Sequence, residues 1–135
     1  MATTKTPISL THDALAALPD SYFKTVDERN IDALLSLFAP NATVTVQTGN
    51  ITYSGVSEIR NMFTAFVNNS KTLSHEVKNI VVDPVSRQIV TEQTYSGELM
   101  DGTQNDMYNC NIFNVDEDGK FTRIIIWMSG ANPLK

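Results

Sequence analysis

The sequence predicts an α+β fold, in which helices in the first half of the chain pack on one face of a β-sheet. Two observations support this prediction. Apolar residues recur at helical spacing between residues 11 and 38 and again between 55 and 68, whereas apolar and polar residues alternate over much of residues 73–128. Helices that precede a run of strands are typical of folds whose helices are segregated to one face of an antiparallel sheet.

The composition bounds the organisation of the chain. It has 135 residues, of which 41% are hydrophobic and 19% charged, enough for the core of one domain. We therefore expect a single domain over residues 1–135, with about residues 1–10 as a flexible N-terminal segment. That segment lacks the apolar stretch and cleavage motif of a secretory signal, and no apolar run approaches the ~18 residues that span a bilayer.

Charge and cysteine content argue against several classes of function. The ten Lys and Arg residues are scattered and the net charge is −5, whereas binding to a nucleic-acid backbone requires clustered cations. Cys110 is the single cysteine, so no internal disulfide can form, which fits a cytoplasmic location. His12 and His75 share no ligand spacing with Cys110, and no nucleotide-binding or nucleophile motif occurs. We expect no metal and no other cofactor.

Three helices are predicted in the first half. Thr11 is a candidate N-cap, and Pro19 is expected to open the main helix as its first residue, where its missing N–H is not needed. A second apolar stripe over residues 31–38 predicts a short helix that Pro40 ends. The third helix is predicted over Gly55–Asn68, because its apolar residues again recur at helical spacing.

The remaining elements are predicted to be strands. Alternation begins at Ala42, and the Gly49-Asn50 turn leads to a short partner strand, Ile51–Tyr53. Turn residues then separate four longer strands, which predicts an antiparallel meander. These strands are predicted over Leu73–Asp83, Gln88–Glu98, Asp106–Val115 and Phe121–Met128.

Five short motifs follow one another in a characteristic order. Residues 27–38 read DERNIDALLSLF and run directly into APNATV at residues 39–44. The third helix has Gly55, Ile59 and Phe63 at its start, and the sequences SHEVKN at 74–79 and DEDGKFTRI at 116–124 come later. Together these motifs resemble the nuclear transport factor 2-like superfamily, and within it the SnoaL-like group, over residues 18 to 129.

The resemblance implies a cone, in which a curved antiparallel sheet and the three helices enclose a cavity. Relatives in this superfamily include ketosteroid isomerases, scytalone dehydratase and the polyketide cyclase SnoaL. By the same analogy we expect a homodimer in which the outer faces of the sheets meet. The residues expected at that contact are apolar or aromatic: Tyr108, Ile112, Ile124 and Ile126.

Tyr22 is the first candidate catalytic residue. The resemblance places it where ketosteroid isomerases carry an oxyanion-hole tyrosine, whose hydroxyl donates to a carbonyl oxygen as it becomes an enolate. The alternative is that Tyr22 is a core aromatic residue whose hydroxyl reaches a backbone carbonyl.

Asn111 is the second candidate. Strand alternation places it on one face with Met107, Asn109 and Phe113. By resemblance it matches the protonated aspartate of ketosteroid isomerases, and an amide donates at any pH. The alternatives are exposure at the surface or a satisfied network in the core.

His75 is the third candidate and the expected proton carrier. The aspartate base of ketosteroid isomerases corresponds to Val46 here, so the resemblance does not extend to steroid isomerisation by that mechanism. Scytalone dehydratase has a catalytic histidine at the position that resembles His75, and imidazole suits proton transfer near pH 7. The strand pattern places His75 on one side with Asn79 and Val81, although a lone histidine can also be purely structural.

Further residues are expected to bind substrate from the walls of the cavity, although Glu92 faces either the pocket or solvent. They are Asn109, Phe113, Val46, Met62, Trp127, Tyr53 and Glu92. The sequence thus predicts a cofactor-independent isomerase, cyclase or dehydratase that acts on an apolar, oxygenated polyketide or terpenoid intermediate. The alternative is a non-catalytic module of the same fold that binds a small molecule or a protein.

Overall fold

A computed structural model describes residues 10–130. Its helices are α1 (His12–Asp27), α2 (Ile31–Leu35) and α3 (Gly55–Asn68). Its strands are β1 (Phe38–Val46), β2 (Ile51–Ser54), β3 (Ser70–Asp83), β4 (Gln88–Leu99), β5 (Met107–Val115) and β6 (Phe121–Trp127). The flexible segment expected at residues 1–10 lies outside the described residues except for Leu10, which packs against the core.

The strands form one curved, unclosed sheet in the order β2-β1-β6-β5-β4-β3, with the three helices packed against it. The α+β prediction is therefore confirmed, with one difference in the sheet. The pairs β1–β2, β3–β4, β4–β5 and β5–β6 are antiparallel, whereas β1 runs parallel to β6. The predicted antiparallel sheet is thus mixed, because its first and last long strands meet in its middle. This order leaves β3 as an edge strand.

Helix α1 continues through Pro19, which was expected to open it. Thr11 caps the helix as predicted, since its Oγ1 accepts a hydrogen bond from the Ala14 N–H at 3.1 Å. Pro19 lies in the helix interior, where it removes one helical hydrogen bond, and its ring is buried. The helix persists because Leu15 on one side of the proline and Tyr22 on the other are both buried in the core.

Pro40 also has a different role from the predicted one. The second helix ends at Leu35, and β1 already begins at Phe38, so Pro40 lies inside a strand. The pairing of β1 with β6 is irregular between Phe38 and Thr43, and proline is tolerated at such interruptions because no ladder hydrogen bond is lost.

Side chains along β5 alternate in burial as predicted, and Asn111 and Phe113 are buried on the inner face of the sheet. Their partners on β6 are Ile126 and Ile124, which are buried on the same face. This corrects the expectation that these two isoleucines belong to an outer contact surface. The outward residue of that strand segment is Ile125, which lies opposite Ile112.

Strand β3 contains a bulge that changes which side chains share a face with His75. Its pairing with β4 shifts by one residue between Val77 and Asn79. As a result Asn79 and Val81 are exposed, and neither accompanies His75 on the inner face. Simple alternation cannot anticipate such an insertion.

Candidate functional site

A groove of about 490 Å³ lies between α1 and the edge strand β3. We call it the α1–β3 groove. One wall is a stripe of α1, formed because residues three, four and seven positions apart lie on one side of a helix. The lining residues are Asp20, Phe23, Lys24, Asp27 and Glu28 from α1, and His75, Glu76 and Val77 from β3.

Asp27 and His75 form the central pair of this groove. Oδ1 of Asp27 lies 2.6 Å from Nδ1 of His75, and Oδ2 accepts a hydrogen bond from the backbone N–H of His75 at 2.8 Å. The carboxylate can only accept, so in the neutral ring Nδ1 carries the proton and Nε2 bears the lone pair. The side chains of His75 and Asp27 are 12% and 24% exposed, respectively. The pair is thus well packed but in reach of a ligand.

Two aromatic rings fix the plane of the imidazole. The ring centroid of His75 lies 4.8 Å from that of Phe23 on α1 and 5.1 Å from that of Tyr95 on β4. Phe23 also lines the groove, so it offers an apolar surface next to the imidazole. The arrangement is suited to general acid–base chemistry on a partly apolar molecule, because the base is oriented from both its carboxylate and its ring faces.

Asp27 is a residue of this candidate site that the sequence analysis missed. A carboxylate in the last turn of a helix opposes the helix dipole, which favours cations at that end. A partner elsewhere in the fold would offset this unfavourable interaction, and this was the available signal. The partner could not be identified from the sequence, since His75 is 48 residues away along the chain.

Tyr22 is buried in the core and does not line the groove. Its ring makes edge contacts with four phenylalanine rings at centroid distances of 4.9 to 6.1 Å: Phe23, Phe63, Phe113 and Phe121. Burial raises the pKa of Tyr22 far above its usual value, and the charge of Asp27 raises it further. The phenol is therefore held neutral inside an aromatic cluster.

Asn111 belongs to a buried polar network on the inner face of the sheet. Thr91 Oγ1 donates to Gln93 Oε1 at 2.7 Å, and Gln93 Nε2 donates to Asn111 Oδ1 at 2.9 Å. The neighbouring Asn109 accepts a hydrogen bond from the Ser129 N–H at 3.2 Å. The network satisfies polar groups that would otherwise be costly to bury. The structure does not bring His75, Tyr22 and Asn111 together in one groove.

The remaining residues expected to bind substrate are spread over both faces of the sheet. Val46, Met62 and Phe113 are buried in the core, and Tyr53 is half-buried on β2, at the opposite edge from β3. Trp127 and Glu92 lie on the outer face, each opposite Cys110 in the strand pairing. Glu92 accepts a hydrogen bond from Asn79 there at 3.1 Å. Neither residue lines the cavity as expected, because the alternation of β4 and β6 turns them away from the helices.

Tyr95 has an unusual environment beside the imidazole. Its hydroxyl is buried and, within residues 10–130, makes no hydrogen bond of good geometry. Burial raises the pKa of Tyr95, and the nearby Ser70 hydroxyl lowers it in part. The phenol lies over Gly97, where an added Cβ would come within 2.2 Å of the hydroxyl oxygen. Gly97 is therefore required for the ring that supports His75.

Metal and membrane sites find no support in the part of the chain that the structure describes. Among residues 10–130 no three His, Cys, Asp or Glu side chains are grouped so that they could hold a metal ion. Over the same range, no helix has both the length and the apolar character needed to cross a membrane. A second groove, of about 520 Å³ beside α2 and α3, contains the ion pair Arg60–Asp32 at 2.9 Å but no histidine.

Several solved structures share this fold. SalBIII, an epoxide hydrolase/cyclase-like enzyme in pyran ring formation of the polyether salinomycin, is 17% identical with a TM-score of 0.78, over 87% of this chain and 92% of that one. AusH from Aspergillus nidulans is 17% identical with a TM-score of 0.79, over 90% and 88% of the two chains.

A third structure is a hypothetical protein with a ketosteroid isomerase-like fold from Catenulispora acidiphila, in complex with trimethylamine. It is 14% identical with a TM-score of 0.72, over 81% of this chain and 82% of that one. Identities this low show a shared fold. No curated protein matches the chain in sequence. The family model described as "SnoaL-like domain" matches residues 20–124, and the chain therefore belongs to the SnoaL-like domain family.

Proposed function

We propose that this protein is a cofactor-independent enzyme that moves a proton on an apolar, oxygenated small molecule, in an isomerisation, cyclisation or dehydration. The observation that carries the proposal is the 2.6 Å pair of Asp27 and His75 in the α1–β3 groove. The groove volume of about 490 Å³ lies within the range of ~300–1,000 Å³ that small-molecule sites occupy. A polyketide or terpenoid intermediate fits this size and the apolar ring of Phe23.

The proton transfer follows from the orientation of the imidazole. Nε2 of His75 removes a proton from the substrate, and Asp27 stabilises the imidazolium that forms at Nδ1. The same nitrogen returns the proton at a second position, which completes an isomerisation or protonates a leaving hydroxyl. The similarity to SalBIII, an epoxide hydrolase/cyclase-like enzyme, supports cyclisation of an oxygenated chain as one such reaction.

Tyr22 and Asn111 enter this proposal only if a ligand reaches the interior of the cone. There the Tyr22 hydroxyl and the Asn111 amide would donate to an oxyanion. Their burial among aromatic rings and within the polar network favours a structural role, so we assign the proton transfer to the groove.

We also propose a cytoplasmic homodimer. Tyr108 and Trp127 are exposed on the outer face, beside Ile112 and Ile125. An apolar sheet face of this kind is covered when two copies meet. Sedimentation of the full chain tests the assembly, and a monomer at micromolar concentration would contradict it.

A non-catalytic binding module remains the second candidate function. It is favoured by one observation, namely that Tyr22 and Asn111 do not line the groove with His75. Such a module would bind small molecules in the groove, yet it would leave their exchangeable protons untouched.

Hydrogen exchange separates the two functions without knowledge of the natural substrate. The full chain is incubated in D₂O with apolar cyclic ketones such as 2-tetralone, and deuterium incorporation at the carbon next to the carbonyl is followed by NMR. We expect the protein to accelerate exchange, and His75→Ala to lower the rate at least ~10²-fold. His12→Ala is the matched control, since His12 is exposed and does not line the groove. Equal rates for His75→Ala and the wild type would contradict the proposed enzymatic function.

A further inference from the structure

The α1–β3 groove contains hydrogen-bond donors that Asp27 and His75 do not use. The first is on the backbone of β3. This strand forms the edge of the sheet, so alternate N–H groups point away from β4 and towards the groove. The N–H of His75 shows this direction, because it donates to Asp27 on α1.

Val77 repeats that orientation two residues later. His75 and Val77 pair with Tyr95 and Gln93 in unbroken register, and the bulge of β3 begins only after Val77. The N–H of Val77 therefore also points away from β4, and the residue lines the groove. It lies ~6.6 Å along the strand from the corresponding atom of His75, at two residues of extended chain.

The second donor is the ammonium group of Lys24. This residue lines the groove one helical turn before Asp27. Within residues 10–130, no carboxylate lies at ion-pair distance from it, unlike Lys71 and Lys78, which pair with Glu98 and Glu76. Among the groove-lining residues Lys24 is the one lysine or arginine, facing four carboxyl side chains: Asp20, Asp27, Glu28 and Glu76.

We propose that the Val77 N–H and the Lys24 ammonium form an oxyanion site in the groove, so that the substrate is a carbonyl compound that passes through an enolate. This inference rests on the proposed function, because it assigns the acceptor of the charge that proton removal creates.

Nε2 of His75 takes a proton from the carbon next to the carbonyl, and the C–H electron pair becomes the C=C bond of the enolate. The C=O π pair moves to the oxygen, which receives hydrogen bonds from Val77 and Lys24. The imidazolium then returns its proton to carbon, and the oxygen regains its double bond.

The charges around the groove fit this assignment. Proton transfer creates an imidazolium and an enolate together, and the carboxylates of the groove stabilise only the imidazolium. Without Lys24 the enolate would face those carboxylates with no cation on the lining, apart from His75 itself. Lys24 is exposed, so its ammonium group can turn towards the enolate oxygen. Loss of one donor to a developing oxyanion typically costs 10²–10³-fold in rate.

The first test replaces the ammonium. In the 2-tetralone exchange assay we expect Lys24→Met to lower kcat about 10²-fold with a smaller change in KM, and Lys24→Arg to restore part of the rate. Lys71→Met is the matched control, because Lys71 does not line the groove. An unchanged kcat for Lys24→Met would overturn the assignment of Lys24.

The second test replaces the backbone donor. An ester in place of the peptide N–H at Val77, introduced with its α-hydroxy acid, keeps the side chain and removes one donor. We expect kcat to fall ~10²-fold. The same ester at Leu73, which has the same orientation but lies outside the groove lining, should leave the rate unchanged. Equal rates for the Val77 ester and the wild type would overturn the assignment of Val77.

A binding measurement separates this inference from the proposed function. The phenolate of 2-naphthol imitates an enolate, and its binding to the His75→Ala variant is followed by absorbance. We expect Lys24→Met in that background to weaken naphtholate binding at least tenfold. If wild-type exchange is absent and this loss still occurs, the proposed function fails and the oxyanion site stands. If exchange depends on His75 but naphtholate binds equally with and without Lys24, the oxyanion site is wrong.

Discussion

The α1–β3 groove and the interior of the cone both combine polar side chains with aromatic rings, but they use them differently. In the interior, Gln93 and Asn111 are each 1% exposed and are bonded to one another through Gln93 Nε2 and Asn111 Oδ1. In the groove, Asp27 binds His75 with both carboxylate oxygens, and within residues 10–130 no hydrogen bond occupies Nε2. Polar groups that are satisfied by one another in the core stabilise the fold. A histidine with a lone pair left on Nε2 can instead act on a ligand.

A change at the Asp27–His75 pair of the groove should have the greatest effect. Asp27→Asn keeps the shape of the side chain but removes the charge that stabilises the imidazolium, so we expect the 2-tetralone exchange rate to fall ~10²-fold. The kinetic assay checks this directly, with Asp32→Asn as a control on α2. A rate for Asp27→Asn within twofold of the wild type would show that the pair is structural.

The second prediction concerns the polar network in the interior of the cone. Asn111→Ala removes the acceptor of Gln93 and leaves a buried amide unsatisfied, so we expect the free energy of unfolding to fall by ~2 kcal/mol. Urea unfolding measures this change. We expect the exchange rate of the folded variant to stay within a few-fold of the wild type. A 10²-fold loss of rate without loss of stability would instead place Asn111 at the reacting carbonyl.

A smaller effect concerns Arg29, whose hydrogen bonds connect the two walls of the groove. Arg29 has a positive φ of 60° and donates from Nη1 to Val67 O at 2.5 Å and from Nη2 to Lys71 O at 3.2 Å. It thus joins the end of α1 to the end of α3 and the start of β3. We expect Arg29→Ala to lower the free energy of unfolding by ~1.5 kcal/mol. Arg29→Gly should lose less, since glycine accepts the positive φ; equal losses would show that backbone strain is unimportant.

The smallest effect appears only in alkali. The folded chain raises the pKa of Tyr22 above its usual value of 10, so above pH 10 the unfolded chain releases a proton that the folded chain keeps. The free energy of unfolding should therefore decrease as the pH rises beyond 10. Urea unfolding at pH 9 and pH 11 should show a smaller decrease for Tyr22→Phe, with the remainder due to groups such as Tyr95. An identical decrease in both proteins would contradict the role of burial at Tyr22.

Local patterns predicted the parts of this molecule that depend on neighbours in sequence. The Thr11 cap and the alternation of β5 are of this kind. His75 was chosen by its resemblance to a scytalone dehydratase residue, and its proton-transfer role stays a prediction. The features that the sequence did not predict depend on packing between residues that are far apart along the chain. Pro19 stays inside a helix because the core holds both of its sides, and the bulge after Val77 reflects pairing with β4. Asp27 could be assigned a partner only in three dimensions.

The parallel pairing of β1 with β6 has a consequence for how this chain folds. These strands are the first and the last along the chain among residues 10–130, and Phe38 opposite Phe121 is the first point at which they meet. The antiparallel unit β3–β6 can assemble from neighbouring segments, whereas β1 must close a long loop before it gains any partner in the centre of the sheet. We expect this closure to limit the folding rate. During synthesis, the groove would then take shape before the sheet is complete, since both α1 and β3 precede β6 along the chain.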